Sequence, residues 1–168
     1  TPAFSHYLGG LQAYGPDLML IYAPFVNSYR RYVTGSQAPI NLDWGHDNRT
    51  TGLRVPISNP DNRRVENRLA GADANPYLAL AASLACGYLG IKNKIKPKPE
   101  MRGDAYLSAY SLPRSLGEAL DWLRKETDLH EVLGKEFITV YSEIKELEFD
   151  EFMKVISPWE REHLLLHV

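Results

Sequence analysis

The placement of the arginines calls for a chemical reason. Seven of the eleven, Arg30, Arg31, Arg49, Arg54, Arg63, Arg64 and Arg68, fall between Asn27 and Arg68, while all eight lysines lie beyond that stretch. A guanidinium is planar, permanently charged and able to grip carboxylate or phosphate oxygens through parallel N–H bonds, and it tolerates desolvation better than an ammonium. An arginine-only cluster therefore suits an anionic ligand. Its competing use is a set of structural ion pairs with Asp43, Asp47, Asp61 and Glu66, acids that the arginines of this stretch outnumber. Glu66 stands between Arg64 and Arg68 at a spacing that puts all three on one surface of a strand. It could simply be neutralised by its neighbours. It could also be a hard oxygen ligand for Mg²⁺ or Mn²⁺, which usually takes a carboxylate or two with phosphate oxygens and waters. Anion-binding arginines around a metal carboxylate are parts that phosphoryl transfer uses. No P-loop, Gly-rich dinucleotide motif or second clustered carboxylate accompanies them, so further metal ligands would have to come from elsewhere.

Other chemistries find less support. His163 and His167 are four apart, half of a zinc-like spacing, but no second cysteine or third ligand stands near them, and solvated or packed histidines are the expectation. His6, His46 and His130 stand alone, and nothing local favours a Ser-His-Asp or Cys-His arrangement. Cys86, the one cysteine, lies in an apolar run and reads as a small core residue in a reducing, cytoplasmic compartment.

The elements that must position the arginines follow from periodicity. Phe4, Tyr7, Leu8 and Leu11 line one face of an opening helix, and Asp17 to Tyr22 is a second short apolar segment. Asn27 to Pro39, with Gly35 and Pro39 and no helical period, reads as a long loop of functional character. From Ile40 to Arg68 the period becomes two, which predicts three strands: Ile40, Leu42 and Trp44; Leu53 and Val55; and Val65 alternating with Arg64, Glu66 and Arg68. Asn75-Pro76 opens a helix that Gly90 ends, and because it is apolar all round it should be central. Lys92 to Pro99 reads as an exposed extended connector. Capping boxes at Ser115 to Glu118 and Ser157 to Glu160 start two more helices. Between them Leu129, Leu133, Phe137, Val140, Ile144 and Leu147 predict one long amphipathic helix.

Composition bounds the rest. The chain has 168 residues, 44% hydrophobic and 24% charged, enough for one globular domain with a core. A formal net charge of −2 leaves no basic field for nucleic acid. The charge-free stretch Ala74 to Ile91 opens Ala-Asn-Pro and is rich in Ala, Gly and Ser, so it reads as a helix of a soluble protein rather than a membrane span.

Four separated motifs carry a resemblance. Asn27-Ser28-Tyr29-Arg30-Arg31, then Asn48-Arg49-Thr50 with Arg54-Val55-Pro56, then Arg64-Val65-Glu66-Asn67-Arg68, and then Ala72 to Ala82 resemble, in order and spacing, the C-terminal half of the catalytic domain of the glutamine synthetase family. The likeness extends less specifically through the C-terminal helices, so residues 1–168 are expected to be the C-terminal portion of such a domain, without the N-terminal domain and the first half of the barrel. The resemblance implies an α+β fold: antiparallel strands of a partial catalytic barrel, backed by helices. It also implies an ATP-dependent carbon–nitrogen ligase that phosphorylates the γ-carboxylate of glutamate and lets an amine displace the phosphate, using ATP and Mg²⁺ or Mn²⁺. By position, Glu66 resembles a metal ligand, while Arg49 and Arg54 resemble phosphate-contacting residues, with Arg64 near the nucleotide. Arg31 and Arg68 resemble residues that bind glutamate or its acyl phosphate, and Arg49 and Arg68 are the catalytic candidates.

The departures from the family pattern carry information as well. Ammonia-using members have a glutamate before Ala-Pro in the loop after the Asn-Ser-Tyr motif; here Gln37 precedes Ala38-Pro39. An amide is a poor general base. The stretch Trp44 to Thr50 is similar to the γ-glutamylpolyamine synthetase branch, so an organic amine or polyamine is expected in preference to ammonia. The alternatives are an ammonia-using glutamine synthetase and a non-catalytic, oligomerising or ligand-sensing member. The isolated segment is expected to be inactive, because Glu66 alone cannot assemble a multi-metal site. The apolar terminal segment Pro158 to Val168 is expected to bury itself in another subunit of a ring-forming homo-oligomer.

Overall fold

The computed structural model describes residues 1–167. Helix α1 (Pro2–Tyr14) is started by Thr1, whose hydroxyl accepts the Phe4 N–H at 3.3 Å. A short turn leads into α2 (Met19–Tyr22), whose four residues are all buried. Helix α3 (Pro76–Lys92) is capped as its sequence predicts: the Asn75 side chain accepts from Tyr77 and Leu78, and Pro76 takes the first helical position. Then come α4 (Leu116–Lys125), α5 (Thr127–Leu133), α6 (Lys135–Met153) and α7 (Pro158–Leu164). The core gathers Leu8, Leu11, Leu18 to Tyr22, Leu53, Leu69, Leu116, Leu123 and Leu129 between the helices and a small sheet. No described helix is long and apolar enough to cross a membrane.

Helices α1 and α3 cross at glycines. A Cβ on Gly10 would overlap the Cys86 carbonyl oxygen and the Gly90 Cα, and one on Gly90 would overlap the His6 carbonyl oxygen. Gly90 therefore does not end α3, which runs on to Lys92; it lets the two backbones touch. Nor is α3 covered all round. The side facing α1 buries Ala82, Ala85, Cys86 and Leu89, whereas Tyr77, Leu80, Leu84, Tyr88 and Ile91 are exposed.

The predicted long helix is broken at Gly134, where φ is +93°. That left-handed geometry comes readily only to glycine and separates α5 from α6. After the break α6 turns Ile138, Ser142 and Lys145 inward and leaves Val140, Ile144 and Leu147 exposed, so the predicted apolar stripe meets the core at Leu129, Leu133 and Phe137 and is outside beyond them. The Lys145 ammonium is accommodated by Glu148 at 2.7 Å and by the faces of Phe25 and Tyr141.

The sheet is short and mixed. Strands β1 (Trp44–His46), β2 (Leu53–Val55) and β3 (Glu66–Asn67) lie in that order. β2 and β3 are antiparallel, as expected, with Arg54 opposite Glu66. β1 and β2 are parallel, with Gly45 opposite Arg54, which corrects the all-antiparallel expectation. The parallel return is possible because so short a strand spans only about 10 Å, and the chain between the two strands can cover about 20 Å. Ile40 and Leu42 are buried ahead of β1 rather than in it, and Asn41 is buried with them, donating to the Ala105 carbonyl at 2.8 Å.

Candidate functional site

Strands β2 and β3 bring Arg54 and Glu66 to one cleft of about 510 Å³, lined also by Gly35, Gln37, Arg49, Thr50, Arg68 and Tyr106 from the segments around them. Glu66 is at its centre. The cross-strand pairing puts Arg54 beside it, and Nη1 of Arg54 donates to Oε2 of Glu66 at 2.7 Å while Nη2 donates to Oδ1 of Asp47 at 2.8 Å. Arg68 approaches from the other side, with Nε 3.6 Å from Oε1 of Glu66. The hydrogen bond to Glu66 raises the Arg54 pKa above its ordinary value, whereas burial lowers that of Arg68.

Arg68 is also a backbone clamp. Its guanidinium donates to the carbonyls of Thr51 at 2.9 Å and Gln37 at 2.7 Å, and to that of Arg49. Three segments thus meet on one side chain: the loop carrying Gln37, the turn before β2 and the end of β3. The Nε of Arg54 is buried without a partner. Arg49 is exposed at the cleft, and among the described residues its guanidinium has no ion-pair partner. It is the cationic group here with its donors available to an incoming anion.

Two sequence-predicted residues lie elsewhere. Arg31 is behind the cleft, where Nη2 donates to the Tyr32 hydroxyl at 2.8 Å and to the Leu69 carbonyl, with the guanidinium over the Tyr32 ring. Arg64 is exposed and turned to the Asn62 carbonyl at 3.2 Å. It does not share the Glu66 face because β3 has only two residues and Arg64 precedes it, just past a tight turn at Pro60–Asn62. Of the acids offered as ion-pair partners, Asp47 and Glu66 serve, while Asp43 and Asp61 make no ion pair among the described residues.

The donor set bears on what the cleft can hold. Guanidinium groups around an open volume suit phosphate or carboxylate oxygens. For a metal ion this chain offers one carboxylate, already flanked by Arg54 and Arg68, and no group of three or more His, Cys, Asp or Glu side chains gathers among the described residues. Glu66 can therefore be one ligand of a cation and not the whole site. Cys86 takes no part: it is buried, and burial pushes its thiol up.

Sequence reasoning missed Tyr106, which lies in a stretch without periodicity, and undervalued Asn48 and Thr50. The Asn48 side chain donates to the Gly103 carbonyl at 2.8 Å and the Thr50 hydroxyl accepts from the Ala105 N–H at 2.8 Å, so these two hold the segment that delivers Tyr106. The Asn-Arg-Thr motif was the available signal.

Comparison with known proteins agrees with this geometry. The sequence profile described as glutamine synthetase, catalytic domain, matches residues 1–164. Among curated relatives, a glutamate–isopropylamine ligase of a Pseudomonas species is 39% identical over 159 residues, covering 92% of this chain and 35% of the relative. The γ-glutamylputrescine synthetase PuuA of Escherichia coli is 38% identical over 167 residues, covering 98% and 35%. A glutamine synthetase of Archaeoglobus fulgidus is 38% identical over 166 residues, covering 92% and 34%. A solved structure of a GmaS/ADP complex superposes with a TM-score of 0.88 at 31% identity, covering 98% of this chain and 40% of that one. The chain thus spans about a third of the length of the curated relatives it matches. With a family profile matched over nearly every residue and the fold shared at this identity, the chain belongs to the glutamine synthetase family, as part of its catalytic domain.

Proposed function

We propose that this chain is the C-terminal portion of the catalytic domain of an ATP-dependent ligase. The enzyme joins the γ-carboxyl of glutamate to an amine through a γ-glutamyl phosphate, and favours an organic amine or polyamine. The observation that carries the reading is the cleft in which Arg49, Arg54 and Arg68 surround Glu66. Negative charge spreads over phosphoryl oxygens as they transfer, and fixed guanidinium groups stabilise it without reorganising. Arg49 is placed to meet the phosphate. Arg54 is held by Asp47 and Glu66 in an orientation ready for a second oxygen, and Arg68 faces the acyl group from the loop side. Glu66 would hold Mg²⁺ or Mn²⁺ together with ligands from outside this chain, and the cation would supply positive charge to offset that of the transferring phosphoryl group. Arg31 and Arg64 lie outside the cleft, and their assignment to glutamate and to the nucleotide rests on the family resemblance alone.

The amine preference rests on Gln37, which stands in the cleft where a carboxylate would attract a small cation and accept its proton. Relatives named for isopropylamine, ethanolamide and putrescine support it, and relatives named glutamine synthetase keep ammonia as the second reading. A non-catalytic, ligand-sensing role draws on the single carboxylate of the cleft. One experiment separates the three: phosphate release by the full-length protein with glutamate, ATP and each amine at matched concentration. The highest kcat/KM is expected with an organic mono- or polyamine. Ammonium in first place establishes the ammonia reading, and no release with any acceptor establishes the binding role.

The protein acts in the cytoplasm as a ring-forming homo-oligomer with α7 buried in a neighbouring subunit. The exposure of Trp159, Leu164, Leu165 and Leu166 supports that assembly, because the helix does not fold back onto its own core. Deleting residues from Pro158 onward should reduce the mass seen by light scattering.

A further inference from the structure

We propose that Tyr106 is a positioning residue for the acceptor amine: Arg68 holds the Gln37–Ala38 peptide and Tyr106 the next one, Ala38–Pro39, and together they decide where the Gln37 side chain stands in the cleft. The inference rests on the ligase reading above and adds to it a residue for which the family motifs of the sequence gave no role. The loop from Val33 to Ala38 ties itself together through Ser36, whose hydroxyl donates to the carbonyls of Arg31 at 2.5 Å and Val33 at 2.7 Å and accepts from the Ala38 N–H at 3.3 Å. Its hydrogen bonds to the rest of the fold come at two consecutive carbonyls: Gln37 takes Nη2 of Arg68 at 2.7 Å, and Ala38 takes the Tyr106 hydroxyl at 2.9 Å.

Gln37 needs such restraint. Its φ is +66°, a left-handed conformation that a glutamine adopts only when its surroundings enforce it. Gly35, two residues earlier and also left-handed at +82°, supplies none, because no atom other than those of its chain neighbours lies within 4 Å of where its Cβ would be. Tyr106 can enforce the geometry because it is itself fixed. Its N–H donates to Asp104, the preceding N–H donates to Thr50, the preceding carbonyl accepts from Asn41, and Thr50 donates on to Asn48. A chain of short bonds thus runs from the turn bearing Arg49, through Tyr106, to Ala38, the neighbour of the residue that departs from the ammonia-using pattern.

The test is steady-state kinetics of the full-length protein carrying Tyr106→Phe or Tyr106→Leu, with hydrogen exchange over residues 33–39. Losing one hydroxyl bond should raise the KM for the amine about fivefold. KM for glutamate and for ATP should stay within about twofold and kcat should be kept. Leucine should reproduce the phenylalanine effect, because the hydroxyl and not the ring does the positioning. Exchange in the loop should quicken in both variants. An unchanged amine KM, or a common rise in all three KM values, overturns the proposal and leaves the ligase reading intact. A wild-type protein that releases no phosphate with any amine removes both, whatever the exchange rates do.

Discussion

The arginine cleft and the outer helical faces answer the same physical demand in opposite ways. In the cleft, polar groups find partners close at hand: Arg68 alone reaches three carbonyls and a carboxylate contributed by three segments of the chain. On α3, α6 and α7 large apolar side chains are uncovered, with Leu80 64% exposed, Leu147 67% and Trp159 59%. Hydrogen bonds are directional and can be completed by a few well-placed atoms, whereas apolar burial scales with area and needs a whole covering surface. A stretch of this length can therefore finish an arginine-lined corner while leaving broad faces open.

The comparison breaks most sharply at the helix crossing, because there the backbones of α1 and α3 touch with no room for a side chain between them. Gly10→Val should cost about 3 kcal/mol or more and abolish a cooperative urea transition, since the new side chain meets backbone that cannot give. Arg68→Ala should come next, lowering stability by about 2 kcal/mol by leaving carbonyls without their donor. Arg68→Lys should recover less than half of that, because an ammonium cannot reproduce the fork. Equal stability of Arg68→Ala and wild type in urea would show that the clamp does not hold the cleft together.

A smaller effect is expected at Asp17, whose carboxyl is pushed up to about 6, mainly by burial and further by Glu126. Its unfolded value is about 3.9. The folded state therefore binds more protons between these values, and stability is fully present below about pH 4 and is lost as pH rises through about 6. Asp17→Asn should flatten that slope in chemical denaturation and add about 1 kcal/mol at pH 7.5, less than the shift alone implies because the carboxyl is partly solvated. The smallest change should come from the open faces. Leu80→Ser with Leu84→Ser should move the stability of this chain by no more than about 0.5 kcal/mol. A loss of several kcal/mol there would mean that the exposed stripe is packed after all.

What the sequence determined on its own is local. Asn75, Ser115 and Ser157 announce their helices because a cap is a bond between neighbours in the chain. The arginine count marked out the stretch that forms the charged cleft, because residue type fixes charge. Tertiary structure decided the rest. Period alone cannot say which side of α3 or α6 meets the core, nor that Gly134 breaks a helix while Gly90 seats one against another. It cannot show that Arg64 falls short of the Glu66 surface, since strand length depends on pairing with β2. Nor can it bring Tyr106 to Ala38, 68 positions apart, because that contact exists only once the turn at Asn48 has gathered the segment between them.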